Sequence, residues 1–178
     1  TLTITSVQKI LIDCGVSSLQ LDSTQRGFSF RFDCPLDMRM DTRQGITAAT
    51  ILNERSSDAL SNIFYNYGEL IHNKKLVEAI VKKRQSTPFN TTFDLLECIK
   101  KSYFFNNNRR LMIKTFSQVF QALRIEVNQE FQHLNLFLTQ ATQYLEKNGI
   151  ICLISFHSLE DKLIKTFFSR QPNFKRSP

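Results

Sequence analysis

The sequence predicts an α/β fold in which two parallel strands are joined through a helical crossover. Residues 9–12 and 150–154 are short and almost continuously apolar, which is typical of strands covered on both faces. Between them, apolar residues recur at spacings of three and four, the period of an amphipathic helix. Two such strands separated by a helix form a parallel crossover unit. The chain has 178 residues, enough for one domain with its own core.

The elements follow one another in a clear order. After the first strand, residues 17–47 form a loop with glycine and proline at intervals. Helices are predicted at residues 53–67 and 74–83, and Thr91 with Asp94 has the capping-box spacing for a helix through Ile99. Residues 106–110 are a polar connector. One long amphipathic helix is then predicted from the apolar positions Phe120, Leu123, Val127, Phe131, Leu134, Leu138, Ala141 and Leu145.

The second strand and a last helix complete the chain. Asn148 and Gly149 are expected to end the long helix, as such residues commonly do. Ser158 with Asp161 repeats the capping-box spacing and predicts a helix through residue 168. The helices from about residue 50 to 105 exceed what one crossover needs. We therefore predict a core formed by residues 1–45 and 115–178, with residues 46–114 as a helical insert.

Charge and cysteine usage narrow the class of protein. The net charge is +7 and the isoelectric point about 9.4, which suits a polyanionic partner such as RNA, although many proteins are equally basic without one. The four cysteines form no CxxC pair and the three histidines are scattered, so we expect no metal site and reduced, intracellular cysteines. We expect neither a membrane span nor a secretory signal. The chain lacks an initiator methionine and is expected to begin within a longer protein.

Candidate chemistry lies where the two strands end. In open parallel sheets, ligands bind beyond the carboxyl ends of the strands. The first strand ends in "LIDCGVSS" and the second in "LISFHSLED". If the strands are neighbours, they present Asp13 and His157 at one edge. The alternatives are that Asp13 caps a loop, that His157 is structural, and that Ser158 and Asp161 are helix caps only.

Several segments resemble the ribosomal RNA small subunit methyltransferase H family. They are "GVSSLQLDSTQRGFSFRFDCPLDMRMD" at residues 15–41, "FQALRIEVNQE" at 120–130 and "ISFHSLEDKLIKTFF" at 154–168, with "TAA", "YGE" and "AIVKKR" between them. The matches keep the family's order from about residue 10 to 168. The resemblance implies a partial Rossmann-like class I methyltransferase fold with a helical substrate-recognition insert. It also implies S-adenosylmethionine as cofactor, contacted by Asp13 and Gln20.

Some family features have no counterpart in these residues. The glycine-rich loop with its Gly-Gly-His element and the acidic residue for the cofactor ribose are missing, as are the closing strands. Cys14 and Cys34 stand where the family usually has leucine and glycine. We therefore expect a fragment or a divergent member of the family, inactive by itself. The resemblance implies methylation of a cytidine N4 in small-subunit ribosomal RNA. The alternative is a non-catalytic RNA-binding or ribosome-assembly protein that retains the fold.

Methylation of a cytosine amine is a displacement in line at a sulfonium methyl, so the enzyme acts mainly by positioning. An acceptor for the amine N–H is sought at Ser17 or His157. A covalent route through Cys14 or Cys34 is disfavoured, because neither has an evident thiolate-activating neighbour.

RNA contacts are expected first from Arg26 and Arg39, in the basic loop of residues 26–43, and from Lys82 and Lys83 on the insert. The RNA-facing side of the insert is expected to carry four more cations, Lys74, Lys75, Arg109 and Arg110. The partners expected are small-subunit ribosomal RNA or the ribosomal subunit. A homodimer is left open. We expect a cytoplasmic bacterial protein, with a mitochondrial or other organelle matrix as the alternative.

Overall fold

The structure is a computed structural model that describes residues 5–171 and 173–174. Within these residues the backbone forms two strands and eight helices. The strands are β1 (Val7–Asp13) and β2 (Leu145–Ile154). The helices are α1 (Ser18–Asp22), α2 (Ala48–Glu54), α3 (Ser57–Gly68), α4 (Lys74–Ser86), α5 (Thr92–Ser102), α6 (Arg109–Asn128), α7 (Glu130–Tyr144) and α8 (Ser158–Ser169).

The chain divides into two compact units. The sheet unit combines the described residues up to Gly15 with those from Gln129 onward, and the helical unit is Val16–Asn128. The helical unit thus includes residues 16–45 and all of α6 as well as the segment predicted to be an insert. The functional division at residues 46–114 stays a prediction.

The sheet unit contains the predicted parallel pair. β1 and β2 run parallel, with Lys9 opposite Ile150 and Asp13 opposite Ile154. We expected both faces of the two strands to be covered. Alternate residues of a strand point to opposite sides, and in this pair the side chains on only one side are half-buried. On the other side the side chain of Leu11 is 71% exposed, and those of Ile150 and Ile154 are also exposed.

The long helix predicted across residues 120–145 is two helices. Gln129 adopts a left-handed conformation with φ 48°, which interrupts helical hydrogen bonding between α6 and α7. The predicted helix end is also wrong: α7 ends at Tyr144, and Asn148 and Gly149 lie within β2. There the pairing register shifts between Val7 and Lys9, because the chain loops out where Asn148 takes φ 66°.

The helical unit is built around a single hydrophobic cluster to which α2–α6 all contribute. Helix α3 lies against α6, and Gly68 permits their close approach, since a Cβ there would lie 2.8 Å from the Gln118 carbonyl oxygen. The predicted helix over residues 53–67 is divided between α2 and α3, because Ser56 caps a new helix and accepts from the Ala59 N–H. The Thr91–Asp94 capping box is confirmed, with both of its hydrogen bonds present.

Among the described residues, no helix combines the length and the apolar character needed to cross a membrane.

Candidate functional site

The carboxyl ends of both strands lie at one edge of the sheet unit, as a parallel pair requires. Asp13 is the last residue of β1, it is exposed, and it pairs in register with Ile154, the last residue of β2. The Cys14 N–H extends the ladder by donating to the Ile154 carbonyl at 3.0 Å. Gly15 then turns the chain with φ 94°, close to the ring of Phe156. The expected adjacency of the two strand ends is therefore confirmed.

His157, not Ser158, caps helix α8. Its Nδ1 accepts a hydrogen bond from the Glu160 N–H at 3.3 Å, in the position that a serine hydroxyl often takes. The Glu160 carboxylate in turn accepts from the Phe156 N–H at 3.0 Å, so the two side chains secure the start of the helix reciprocally. The ring lies 6.0 Å from that of Phe131, and the His157 side chain is only 11% exposed.

The second nitrogen of His157 faces carboxylates. Nε2 lies 3.3 Å from Glu160 Oε1, and ligand atoms of His157, Glu160 and Glu130 all fall within 4.8 Å of one another. Because Nδ1 uses its lone pair to accept from an N–H, the neutral ring must carry its proton on Nε2. A metal ion would need a free lone pair on one of the two ring nitrogens, and here Nδ1 is engaged and Nε2 is protonated. Nε2 is buried without a hydrogen-bond partner among the described residues, so the cluster presents no free histidine lone pair to a metal ion.

The same carboxylates act on Cys14. Burial raises the pKa of the Cys14 thiol, and the negative charges of Glu160, Asp13 and Glu130 raise it further. A raised pKa keeps the thiol protonated at neutral pH, which is the opposite of what a nucleophilic cysteine needs. Cys34 is buried, with its sulfur near the Phe32 carbonyl and the Thr92 hydroxyl. These surroundings agree with the expectation that neither cysteine serves a covalent route.

Ser17 and Gln20 form a capping box that the sequence analysis did not identify. The Ser17 hydroxyl accepts from the Gln20 N–H at 3.3 Å, and the Gln20 Oε1 accepts from the Ser17 N–H at 2.9 Å. The spacing of a serine and a glutamine three residues apart would have revealed it. Among the described residues, the Nε2 group of Gln20 has no hydrogen-bond partner, which leaves a donor available. Ser17 and Gln20 belong to the helical unit and Asp13 to the sheet unit, so the pairing of Asp13 and Gln20 on one cofactor stays a prediction.

Three of the four cations predicted to bind RNA have partners within the helical unit. Arg26 donates from Nη2 to the carbonyls of Arg39 and Met40, at 2.6 and 3.1 Å. Arg39 makes two parallel hydrogen bonds to the Asp37 carboxylate, both at 2.8 Å, and these lower the pKa of Asp37.

The two predicted RNA contacts on α4, Lys82 and Lys83, differ from each other. Lys83 donates to Asp94 Oδ1 at 2.7 Å and lies 4.7 Å from the centre of the Phe89 ring, and its side chain is largely buried. Lys82 is exposed and makes no ion pair among the described residues. Of the four predicted RNA contacts, Lys82 is thus the one whose charge is available without breaking an internal contact.

The comparisons with known proteins agree with the resemblance found in the sequence. A model described as the MraW methylase family matches residues 1–178. A relative from Gloeothece citriformis, named ribosomal RNA small subunit methyltransferase H, is 49% identical over 93% of this chain and 54% of its own length. Relatives with the same name from Bacteroides thetaiotaomicron and Mycoplasmopsis agalactiae are 48% and 46% identical over 91% and 94% of this chain, and over 52% and 54% of their own lengths. The chain spans about half the length of the curated relatives it matches.

Proposed function

We propose that this chain, which belongs to the MraW methylase family, forms part of an enzyme that methylates N4 of a cytidine in small-subunit ribosomal RNA. The observation that carries the proposal is the 49% identity to a relative named ribosomal RNA small subunit methyltransferase H, across 93% of the chain. Within that proposal the fold is Rossmann-like and of class I, and residues 46–114 are its helical insert. The parallel pair of β1 and β2 supports this fold.

The strand end supports S-adenosylmethionine as the cofactor. Asp13 offers an exposed carboxylate beyond the end of β1, which suits a hydroxyl or ammonium group, and Gln20 offers an amide donor, which suits a carboxylate. Gly15, with φ 94°, lets the backbone turn directly after the strand. When bound, S-adenosylmethionine supplies an electrophilic methyl group on a sulfonium. In this proposal Asp13 and Gln20 hold and orient the cofactor.

Ser17 is the better candidate for direct contact with the cytosine amine. Its hydroxyl is exposed and can accept a second hydrogen bond while it keeps the one from the Gln20 N–H. His157 has its Nδ1 engaged by the Glu160 N–H and its Nε2 buried beside a carboxylate. We therefore assign His157 to positioning the segment after β2, where it fixes the start of α8.

The RNA contacts in this proposal come first from exposed cations. Lys82 lies on the solvent side of α4 with Lys74 and Lys75, while Leu76 and Ile80 face the core. Arg26, Arg39 and Lys83 already donate to internal acceptors, so an RNA phosphate would gain less from them than from Lys82. Binding through phosphate contacts would make the RNA affinity fall steeply as the salt concentration rises.

The test restores the half of the fold that the relatives have and this chain does not cover. The chain is joined to the remaining part of the Bacteroides thetaiotaomicron relative, and N4-methylcytidine in small-subunit ribosomal RNA is measured by mass spectrometry. We expect methylation by the chimera. Asp13→Asn should weaken S-adenosylmethionine binding by about tenfold or more, because a charge-assisted hydrogen bond is worth roughly 1.5–3 kcal/mol. Asp22→Asn, which changes an exposed carboxylate in α1, is the matched control and should leave cofactor binding near the unmodified value.

A second function is favoured by the net charge of +7, which needs no cofactor to be useful. It is RNA binding or ribosome assembly without catalysis. A folded chimera that binds the ribosomal RNA but leaves no N4-methylcytidine would support this second function against the first.

A further inference from the structure

Phe104 is exposed to an unusual degree. Its side chain is 88% exposed, more than any other large hydrophobic side chain among the described residues. It lies in the connection between α5, which ends at Ser102, and α6, which begins at Arg109. Single exposed apolar residues are common and need no explanation by themselves. What distinguishes Phe104 is how firmly its neighbours are held and which charges surround it.

The residues on either side of Phe104 are anchored to the helical unit. Tyr103 donates its backbone N–H to the Ile99 carbonyl at 3.2 Å and its hydroxyl to the His72 carbonyl at 3.2 Å. Phe105 packs edge-on against the ring of Phe116, at 6.2 Å between centroids. Both neighbouring rings are partly buried against the core, whereas Phe104 points away from it. The ring is therefore presented on a fixed backbone and does not lie on a loose loop.

The far side of the connection is fixed as well. Asn106 and Asn107 take left-handed conformations with φ 43° and 56°, which turn the chain back. Asn108 then caps α6, since its Oδ1 accepts from the Leu111 N–H at 3.0 Å. This cap sets Arg109 in the first turn of α6, a few residues from Phe104. Five residues of extended chain span at most roughly 18 Å, which limits the distance between the Cα atoms of Phe104 and Arg109.

All the charge around Phe104 in the chain is positive. From residue 98 to 114 the charged residues are Lys100, Lys101, Arg109, Arg110 and Lys114, with no acidic residue among them. Lys101 has a weak partner in Glu97, at 3.8 Å on an exposed face, and such pairs contribute little. An exposed aromatic ring with cations before and after it in the chain is a combination that suits single-stranded nucleic acid, in which bases stack and phosphates pair with cations.

We propose that Phe104 is a stacking platform for an unpaired RNA base, with Lys100, Arg109 and Arg110 holding the adjacent phosphates. The inference rests on the proposed function, since it takes RNA to be the partner, and it names the place and the mode of contact. The positive charges near Phe104 favour RNA over an apolar protein surface as the partner. An apolar surface would gain nothing from the neighbouring cations, whereas RNA phosphates would pair with them. The proposed site reads unpaired bases only, since the face of a base inside a duplex is already stacked.

The test measures the affinity of the whole 178-residue chain for a fluorescent single-stranded RNA of mixed sequence, by anisotropy. Phe104→Ala should weaken binding by about 5- to 150-fold, the range for loss of one stacked base. Phe104→Trp should keep the affinity and Phe104→Leu should lose it, because leucine keeps the apolar area and removes the π face. Tyr65→Ala removes another exposed aromatic ring, on α3, and should leave the affinity unchanged.

Salt dependence separates stacking from charge. The slope of log affinity against log salt should be the same for Phe104→Ala as for the unmodified chain, because no phosphate contact is lost. Arg109→Ala combined with Arg110→Ala should flatten that slope by about one unit per contact. The same RNA annealed into a duplex should bind equally to Phe104→Ala and to the unmodified chain.

The outcomes distinguish the two proposals. Unchanged affinity in Phe104→Ala, in a chain that binds single-stranded RNA, would overturn the stacking site, leave the proposed function intact and point to a protein contact for the ring. Full affinity in Phe104→Leu would overturn stacking in favour of simple apolar contact. Absence of any RNA binding by the unmodified chain would remove both the stacking site and the RNA contact of the proposed function. The melting temperature of each Phe104 variant should equal that of the unmodified chain, because Phe104 is so exposed. An unchanged melting temperature excludes misfolding as the cause of a lost affinity.

Discussion

Replacing Asn128 should destabilise the helical unit, because this side chain joins the loop of residues 38–40 to the end of α6. Its Nδ2 donates to the Met38 carbonyl at 2.8 Å and to the Arg124 carbonyl at 2.9 Å. Its Oδ1 accepts from the Met40 N–H at 2.6 Å. Met38 is buried and has φ 62°, a conformation that a non-glycine residue keeps only when its surroundings enforce it.

The size of the effect follows from these contacts. One hydrogen bond contributes roughly 1 kcal/mol net, and a buried polar group that loses its partner costs roughly 1–3 kcal/mol. Asn128 is half-buried, so water can replace part of what is lost. We expect Asn128→Ala to lower the free energy of unfolding by about 2–3 kcal/mol. For a unit of this size the melting temperature should fall by roughly 6–12 °C.

Circular dichroism during heating measures the effect, and two further variants sharpen it. Asn62→Ala changes an exposed asparagine on α3 and should leave the melting temperature nearly unchanged. Asn128→Asp keeps an acceptor for the Met40 N–H but points a carboxylate at the Met38 carbonyl, so it should be destabilised at neutral pH. It should recover in part in acid, where the protonated carboxyl can donate. If Asn128→Ala melted within about 2 °C of the unmodified chain, the loop would be held by something other than this side chain.

Three further predictions concern stability and RNA binding. Burial alone would raise the pKa of Asp94, but the hydrogen bond from Lys83 and those from two backbone N–H groups lower it overall. The Asp94 carboxylate therefore stabilises the fold above its unfolded pKa of about 3.9 and loses that effect as the pH falls through the lowered value. In urea unfolding, the deficit of Asp94→Asn should be largest at neutral pH and shrink in acid. Gly27→Ala should cost more than about 2 kcal/mol in the same assay, because Gly27 has φ 72° and a Cβ would lie 2.5 Å from a backbone oxygen. Lys82→Ala should flatten the salt dependence of RNA affinity by about one unit, whereas Arg39→Ala should mainly lower the melting temperature.

The elements that the sequence predicted well are those whose signal is local. The two apolar runs became the strands β1 and β2, because apolar runs this short fit strands better than helices. The spacing of Thr91 and Asp94 became a capping box, because both of its hydrogen bonds join residues three apart. The motifs that resemble a methyltransferase family are confirmed by the family model that matches the whole chain.

The errors arose where a pattern is compatible with two backbones. Apolar spacing continues from α6 into α7 across Gln129, because spacing counts residues and does not register one left-handed conformation. Asn148 and Gly149 are common helix ends, but such residues also suit an irregularity within a strand. His157 took the capping position predicted for Ser158, since an imidazole nitrogen can accept the same hydrogen bond.

The sequence was sufficient for the α/β class, the family and the kinds of residue at the strand ends, because these depend on local patterns and motifs along the chain. The tertiary structure alone decided which charges remain available to a partner. Arg26 is committed to the carbonyls of Arg39 and Met40, more than ten residues away, and Lys83 to Asp94 on the next helix. Lys82, one position along the same helix, stays exposed. In the sequence these cations look alike. Whether such a side chain has an internal partner depends on the distance and direction of an acceptor elsewhere in the fold, and spacing along the chain encodes neither.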